Sequence, residues 1–392
     1  MAASSFSALV LGTFPEVEAQ LMEELEAGRE LMQGRNADLV LLFTTPDWAP
    51  CLEDLVEVVK IGARCPLVVG TSADGIIARR VEEEAKSGVS IVGLTLPEGA
   101  SARVEIIESW DRPPARLDDP GGWIILANPF HLDAAGWSET WHQAHRDIPT
   151  YGGLASGGRE PESIFLLGEG GRIDEPAIAI GFSGLELEGV VSQGCRPIGQ
   201  PYTITGADGN IVSGIGSKPA FDMLEAAFNS LEEEEKKGAQ GNILAGLAMS
   251  EYLERFARGD FLVRSILGGD RENGALALAA SPQVGQTLQF QLRDAHSAHE
   301  DLEELLELHR LGSPLGNPFA GLLFSCTGRG EHLFGEAHHD ALAVEEAFPG
   351  LEMAGFFCNG EIGPVSGKAH IHGFTASLAL LRERPKQEKE AS

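Results

Sequence analysis

Positive charge is in short supply. The 392 residues carry 29 Lys and Arg against 59 Asp and Glu, a formal net charge of −30. A chain this acidic repels polyanions, and no cluster of Lys and Arg builds a local basic face. Nucleic acid and direct membrane insertion are therefore not expected; the nearest thing to a basic stretch, Arg382 to Lys389, is of mixed charge. Cysteine is scarce as well. Cys51, Cys65, Cys195, Cys326 and Cys358 are scattered, and none forms a CxxC pair. An odd, dispersed set in a long chain argues against a disulfide framework and for a reducing, cytoplasmic setting. No apolar run approaches the length of a membrane span, and Met1 to Leu11 lacks a basic start and a long apolar core. Neither a transmembrane helix nor a signal peptide is expected.

Enzyme signatures are missing too. There is no GxxxxGK[ST], no GxGxxG after a strand, no GxSxG and no HExxH. Gly70-Thr71-Ser72-Ala73-Asp74 comes within one residue of a nucleophile elbow but carries Asp74 where glycine is needed. Ser72 thus reads as part of a turn or a ligand-facing loop. His370 and His372 would share one strand face, yet no carboxylate or thiolate spacing completes a zinc set. No metal is assigned, no CxxCH marks a haem, and no cofactor is expected from the residues. Trp137 and Trp141, four apart with His142 and His145 nearby, read as a core or interface stripe.

What is present is 43% hydrophobic sequence, ample for sizeable cores. Strands are expected at Phe6–Gly12, Ala37–Phe43, Pro66–Val69 and Gly122–Ala127, with helices at Cys51–Ala63 and Trp137–Arg146. Val89–Leu96 and Ala102–Ile107 read as an antiparallel pair joined at Pro97-Glu98-Gly99. The order of strand, polar exit, helix, strand and glycine-rich loop recurs, with copies beginning near Ala37, Gly122, Asn242 and Phe319. The expected fold is α/β (or α+β), with two related halves, each a mixed sheet flanked by helices. The halves are residues 1–199 and 200–381, and residues 382–392 form a disordered tail.

The last copy is the most informative. Two short apolar strands end in Ser325-Cys326-Thr327-Gly328-Arg329-Gly330 and Cys358-Asn359-Gly360-Glu361-Ile362-Gly363. Side by side, they would bring two polar, glycine-rich loops together. Arg329 and Glu361 offer one charge of each sign, which suits a zwitterionic ligand or, alternatively, a simple pair between themselves. Cys326 lies three residues from Arg329, whose charge would lower a thiol pKa. It reads as a buried small hydrophobe or, alternatively, as a reactive thiol. Cys326 and Cys358 lie at neighbouring strand ends, and His372 and Thr375 follow on the next strand. The candidate ligand site is therefore Ser325, Cys326, Thr327, Gly328, Arg329, Gly330, Cys358, Asn359, Gly360, Glu361, His372 and Thr375. Secondary candidates are Gly70, Thr71, Ser72, Asp74 and Gly75 in one loop and Gly153 and Ser156 in another.

FSCTGRG, GFFCNGEIGP and the HIHGFT tail resemble the C-terminal half of a FIST protein. GTSADGI, YGGLASGG and SQGCRPIG resemble the N-terminal FIST half and its junction. FIST is a bacterial sensory domain family, also found in a eukaryotic F-box protein. The resemblance implies a cytoplasmic signal-transduction protein that binds a small polar ligand such as an amino acid, without catalysis, and passes its signal to a separate output protein. It brings haem-binding members as an analogy. A thiol-dependent enzyme using Cys326 and a protein-docking adaptor are the alternatives.

Overall fold

The computed structural model describes residues 2–385 apart from 159, 253–255, 257 and 258. Two compact units divide it. The first runs up to Val191 and resumes at Glu303; the second is Ser192–Leu302.

The first unit repeats one pattern three times. Repeat one is β1 (Ser4–Leu11), α1 (Glu18–Leu31), β2 (Leu39–Thr44), α2 (Leu52–Ala63), β3 (Val68–Ser72), a hairpin of β4 (Ile76–Ala78) and β5 (Val81–Glu83), and β6 (Gly88–Thr95). Repeat two is β7 (Ser101–Ile107), β8 (Pro120–Ala127), α3 (Ala134–Ala144), β9 (Thr150–Leu154), a hairpin of β10 (Leu166–Gly168) and β11 (Gly171–Ile173), and β12 (Ala177–Ser183). Repeat three opens with β13 (Glu186–Ser192).

The chain then builds the second unit. It comprises β14 (Cys195–Asp208), β15 (Ile211–Ile215), β16 (Lys218–Pro219), α4 (Ala220–Asn229), α5 (Glu233–Ala239), β17 (Ile243–Ala248), β18 (Phe261–Asp270), β19 (Ala275–Leu278) and β20 (Thr287–Arg293). Its strands follow the order β14-β20-β17-β18-β19-β15, and a β14–β15 pairing closes them into an antiparallel barrel of six. Ile204, Val212, Ile215, Leu276, Leu288 and Phe290 fill its core with side chains from α4. Helix α6 (Ala295–Gly312) carries the chain back. Repeat three resumes with β21 (Ala320–Cys326), α7 (Gly330–Phe334), α8 (His339–Ala347), β22 (Met353–Cys358), a hairpin of β23 (Glu361–Val365) and β24 (Lys368–His372), and β25 (Ala376–Arg382).

The three sheets of the first unit share one order: β1-β6-β2-β3-β10-β11, β7-β12-β8-β9-β23-β24 and β13-β25-β21-β22-β4-β5. Each holds a parallel pair linked through a helix, β2–β3, β8–β9 or β21–β22. Each is completed by the hairpin of another repeat, so the exchange is cyclic. The parallel strands are continuous apolar runs because both faces are covered. Leu39, Leu41 and Phe43 of β2 join a core shared by all three sheets, while Val40 and Leu42 pack against α1 and α2. Phe43 stacks on Phe356 across two repeats, with ring centroids 4.9 Å apart.

One register position marks the repetition. Gly70, Gly152 and Gly355 lie opposite Leu42, Ile125 and Leu323 in the three parallel pairs. A Cβ on any of them would lie 1.9 Å from the carbonyl oxygen of that partner. Only glycine permits so close an approach of the two backbones.

Several expectations change. The copies near Ala37, Gly122 and Phe319 are true repeats. The one near Asn242 is not, because β17 and β18 are antiparallel neighbours in the barrel. The architecture is mixed α/β, but as three interlocked repeats plus a barrel rather than two similar halves. β6 and β7 form no hairpin: β6 pairs with β1 and β2, and β7 pairs with β12. The chain's last stretch stays ordered past Arg382, which is 3% exposed, and Arg384 bonds to Glu186 at 2.6 Å; residues 386–392 lie outside the described residues.

Candidate functional site

The parallel strands β3, β9 and β22 end in three glycine-containing loops, and these loops meet. Asp74 N–H donates to Ser156 Oγ at 2.8 Å, and Ser156 N–H to Ser72 O at 3.2 Å. Ser156 Oγ donates to Phe357 O. Phe357 N–H donates to Gly75 O at 2.9 Å, and Asn359 N–H and Nδ2 donate to Leu154 O and Ala155 O, both at 3.1 Å. Thus the primary loop at Cys358–Gly363 and both secondary loops, Gly70–Gly75 and Gly152–Gly158, form one hub. Ser72 is wholly buried, and its Oγ accepts Phe165 N–H at 3.1 Å; Thr71 Oγ1 donates to Phe165 O at 3.0 Å. These hydroxyls join strands. Asp74, Gly158 and Asn359 are the exposed members of the hub.

Beside the hub lies a buried charge cluster. Cys326 and Cys358 are register partners at the ends of β21 and β22. Three residues beyond Cys326, Arg329 is 0% exposed and grips Asp340 in bidentate fashion, Nε to Oδ2 at 2.7 Å and Nη2 to Oδ1 at 2.8 Å. Ser325 Oγ donates to Asp340 Oδ2 at 2.8 Å, and His339 Nδ1 lies 2.9 Å from Oδ1. Arg329 also stands 5.2 Å above the Phe334 ring. Although burial opposes ionisation, the guanidinium holds the Asp340 carboxyl well below the usual carboxylate range. Arg329 therefore pairs with Asp340 and not with Glu361.

Glu361 starts β23, opposite Gly153 of β9 and His372 of β24. It is 0% exposed. Its Oε2 accepts Thr375 N–H at 3.0 Å, and the Cys326 thiol lies beside the carboxyl, but Oε1 has no hydrogen-bond partner. Burial pushes its pKa well above the usual carboxylate range. Cys326 receives Gly328 N–H at 3.4 Å, yet burial and the neighbouring Glu361 push its thiol up to about 12, against the lowering expected from Arg329. Cys358 is raised for the same two reasons. His372 Nε2 lies 3.0 Å from Gly363 O. Thr327 and Gly328 are half-buried at the rim. Gly330 has φ +64°, and a Cβ there would strike the Glu84 carboxylate.

Two members of the cluster escape sequence reasoning. Asp340 is in the first turn of α8, an ordinary place for a solvated acid. Glu82 belongs to the run Glu82-Glu83-Glu84, which reads as surface charge, yet β5 turns it inward to 4% exposure. Its Oε1 caps Ala341 N–H at 2.8 Å, its own N–H donates to His338 Nδ1 at 3.1 Å, and Oε2 has no partner. Burial, then Asp340, raises its pKa to about 8. A threefold-recurring charge would have been needed to flag it, and the matching hairpin positions are Arg172 and Ile371.

Elsewhere, Trp137 and Trp141 are buried between α3 and its sheet with Trp123 and His145. All five cysteines are free. Among the described residues, no three His, Cys, Asp or Glu side chains converge for a metal. None of the described helices is long and apolar enough to cross a membrane.

Comparison with known proteins shows the family. Residues 38–218 match the FIST N domain and residues 220–364 match the FIST C domain. Over 384 residues the chain is 32% identical to uncharacterized protein Rv0628c of Mycobacterium tuberculosis, covering 95% of this chain and 98% of that one. The chain belongs to the FIST family. Uncharacterized protein Mb0898c of Mycobacterium bovis is also 32% identical, over 94% of this chain and 97% of its own length. Among solved structures, a crystal structure of chorismatase aligns over 97% of this chain and 99% of its own, with a TM-score of 0.28 and 8% identity. The FIST N and FIST C segments meet at the start of α4, inside the barrel unit. The cluster draws on both: Glu82 belongs to the FIST N segment, and Arg329, Asp340 and Glu361 to the FIST C segment.

Proposed function

We propose that this FIST protein is a sensor that binds a small polar ligand at Glu361, beside the Arg329–Asp340 pair, and performs no chemistry on it. The observation that carries the reading is Glu361 Oε1, a fully enclosed carboxyl oxygen without a hydrogen-bond partner. An unsatisfied buried polar atom is costly, and strongly perturbed acids gather where ligands bind. The sensory part of the reading rests on the FIST family. So does transfer of the signal to a separate output protein in the cytoplasm. A thiol pushed up to about 12 is protonated at neutral pH, which favours binding over nucleophilic catalysis by Cys326.

The test is a metabolite panel screened by thermal shift, followed by calorimetry on the wild type and Glu361→Gln. Loss of a buried charged anchor should weaken binding by roughly 2–5 kcal/mol. A tight ligand whose affinity ignores this substitution in a folded protein would place the site elsewhere.

A further inference from the structure

The inventory of donors and acceptors around Glu361 narrows the ligand class. Both oxygens of Asp340 are occupied, by Ser325 Oγ and Arg329 Nε on one side and by Arg329 Nη2 and His339 Nδ1 on the other. The third guanidinium nitrogen, Nη1, lies 3.5 Å from Phe374 O. Arg329 is thus committed to groups of the protein, and the carboxylate half of a zwitterion would have to displace Asp340. What remains is Glu361 Oε1, buried and without a partner. Once its proton is gone a carboxylate accepts through both oxygens, so a ligand that takes the proton's place supplies N–H donors.

Resting on the reading that Glu361 is the binding site, we infer that the ligand presents a cationic amine to it: an ammonium or guanidinium group, with no carboxylate bound at Arg329. Burial favours the neutral form of Glu361, so the arriving cation takes the place of its proton. The exchange is ligand-NH3+ plus Glu361-COOH giving the ion pair plus one proton released to solvent. Thr375 N–H holds Oε2, and Phe374 stands at φ +65°, a conformation rare for a bulky residue.

The experiment uses the full chain with butylammonium, butyrate and butanol at millimolar concentration, read by thermal shift and by proton release in weakly buffered solution at pH 7. Butylammonium alone should raise the melting temperature, with release approaching one proton per ligand. Glu361→Gln, which matches the neutral acid in shape, should abolish the release and weaken binding by about thirtyfold or more. Stabilisation by butyrate that Glu361→Gln removes would overturn the cationic class while leaving the site in place. Butylammonium binding that is indifferent to Glu361→Gln would overturn the site as well. Binding without proton release in the wild type, or no response to any probe, also overturns the inference, and neither depends on the variant's folding.

Discussion

Replacing Asp340 by Leu should destabilise the three-sheet unit more than replacing Asp340 by Leu and Arg329 by Met together. Asp340 is 1% exposed and Arg329 0%. Removing the carboxylate alone strands a guanidinium without its counter-charge, which costs about 3–5 kcal/mol. Removing both leaves two apolar side chains in the same space. The remaining loss is then the acceptor for Ser325 Oγ and His339 Nδ1, about 1 kcal/mol each. The coupling between the two sites should therefore be on the order of 2–3 kcal/mol. Urea unfolding followed by tryptophan fluorescence is well suited, because Trp48, Trp110, Trp123, Trp137 and Trp141 all belong to this unit and none to the barrel. Acid adds a second reading. A depressed carboxyl stabilises above its unfolded pKa of about 3.9 and loses that stabilisation as pH falls towards its folded value. The wild type should thus lose stability faster than the double variant below pH 4. If the double variant loses as much as both single changes summed, the pair has no coupling and the reasoning fails.

Three further outcomes are expected. Glu82 titrates near 8 in the fold, so its contribution is full below its unfolded value of about 4.3 and fades as pH rises through 8; Glu82→Gln should flatten the stability profile between pH 5 and 9, and an unchanged slope in urea midpoints refutes this. Gly70→Ala, Gly152→Ala and Gly355→Ala should each destabilise by about 1–3 kcal/mol or more, since each forces parallel strands apart; a midpoint shift under 0.5 kcal/mol in any of them, a bound of roughly the surface-substitution size, would show that the backbone gives way. Iodoacetamide at pH 8 should label half-buried Cys51 well before Cys326 and Cys358, measured by peptide mass; early labelling of Cys326 would revive a nucleophilic role.

The repeats were legible wherever a strand is buried on both faces, because β2, β8, β21 and β22 then appear as unbroken apolar runs. Such a run says nothing about its neighbours. β6 and β7 follow one another across Pro97-Glu98-Gly99 as a hairpin would, yet they belong to different sheets. β17 and β18 look like a parallel pair in spacing and are antiparallel in space. At the site, Arg329 and Glu361 stood out as lone charges in loops of small residues. Asp340 and Glu82 did not, because a first-turn acid and a run of glutamates ordinarily face water, and only the exchanged hairpin brings Glu82 inward. The pairing that decides the site's chemistry, Arg329 with Asp340, is a matter of side-chain reach.

The cyclic exchange of hairpins has a consequence for how the protein is made. β4 closes onto β22, with Ile76 opposite Phe356, so the first repeat's hairpin finds its sheet only when the last repeat has been translated. At roughly 5–20 residues per second, the wait is about a quarter of a minute to a minute. Through that interval a nascent chain carries an unpaired hairpin, and β3 also waits for β10 to cover its edge. The charges of Arg79, Arg80 and the Glu82–Glu84 run, on and beside that hairpin, would keep it from pairing with the wrong strand in the meantime.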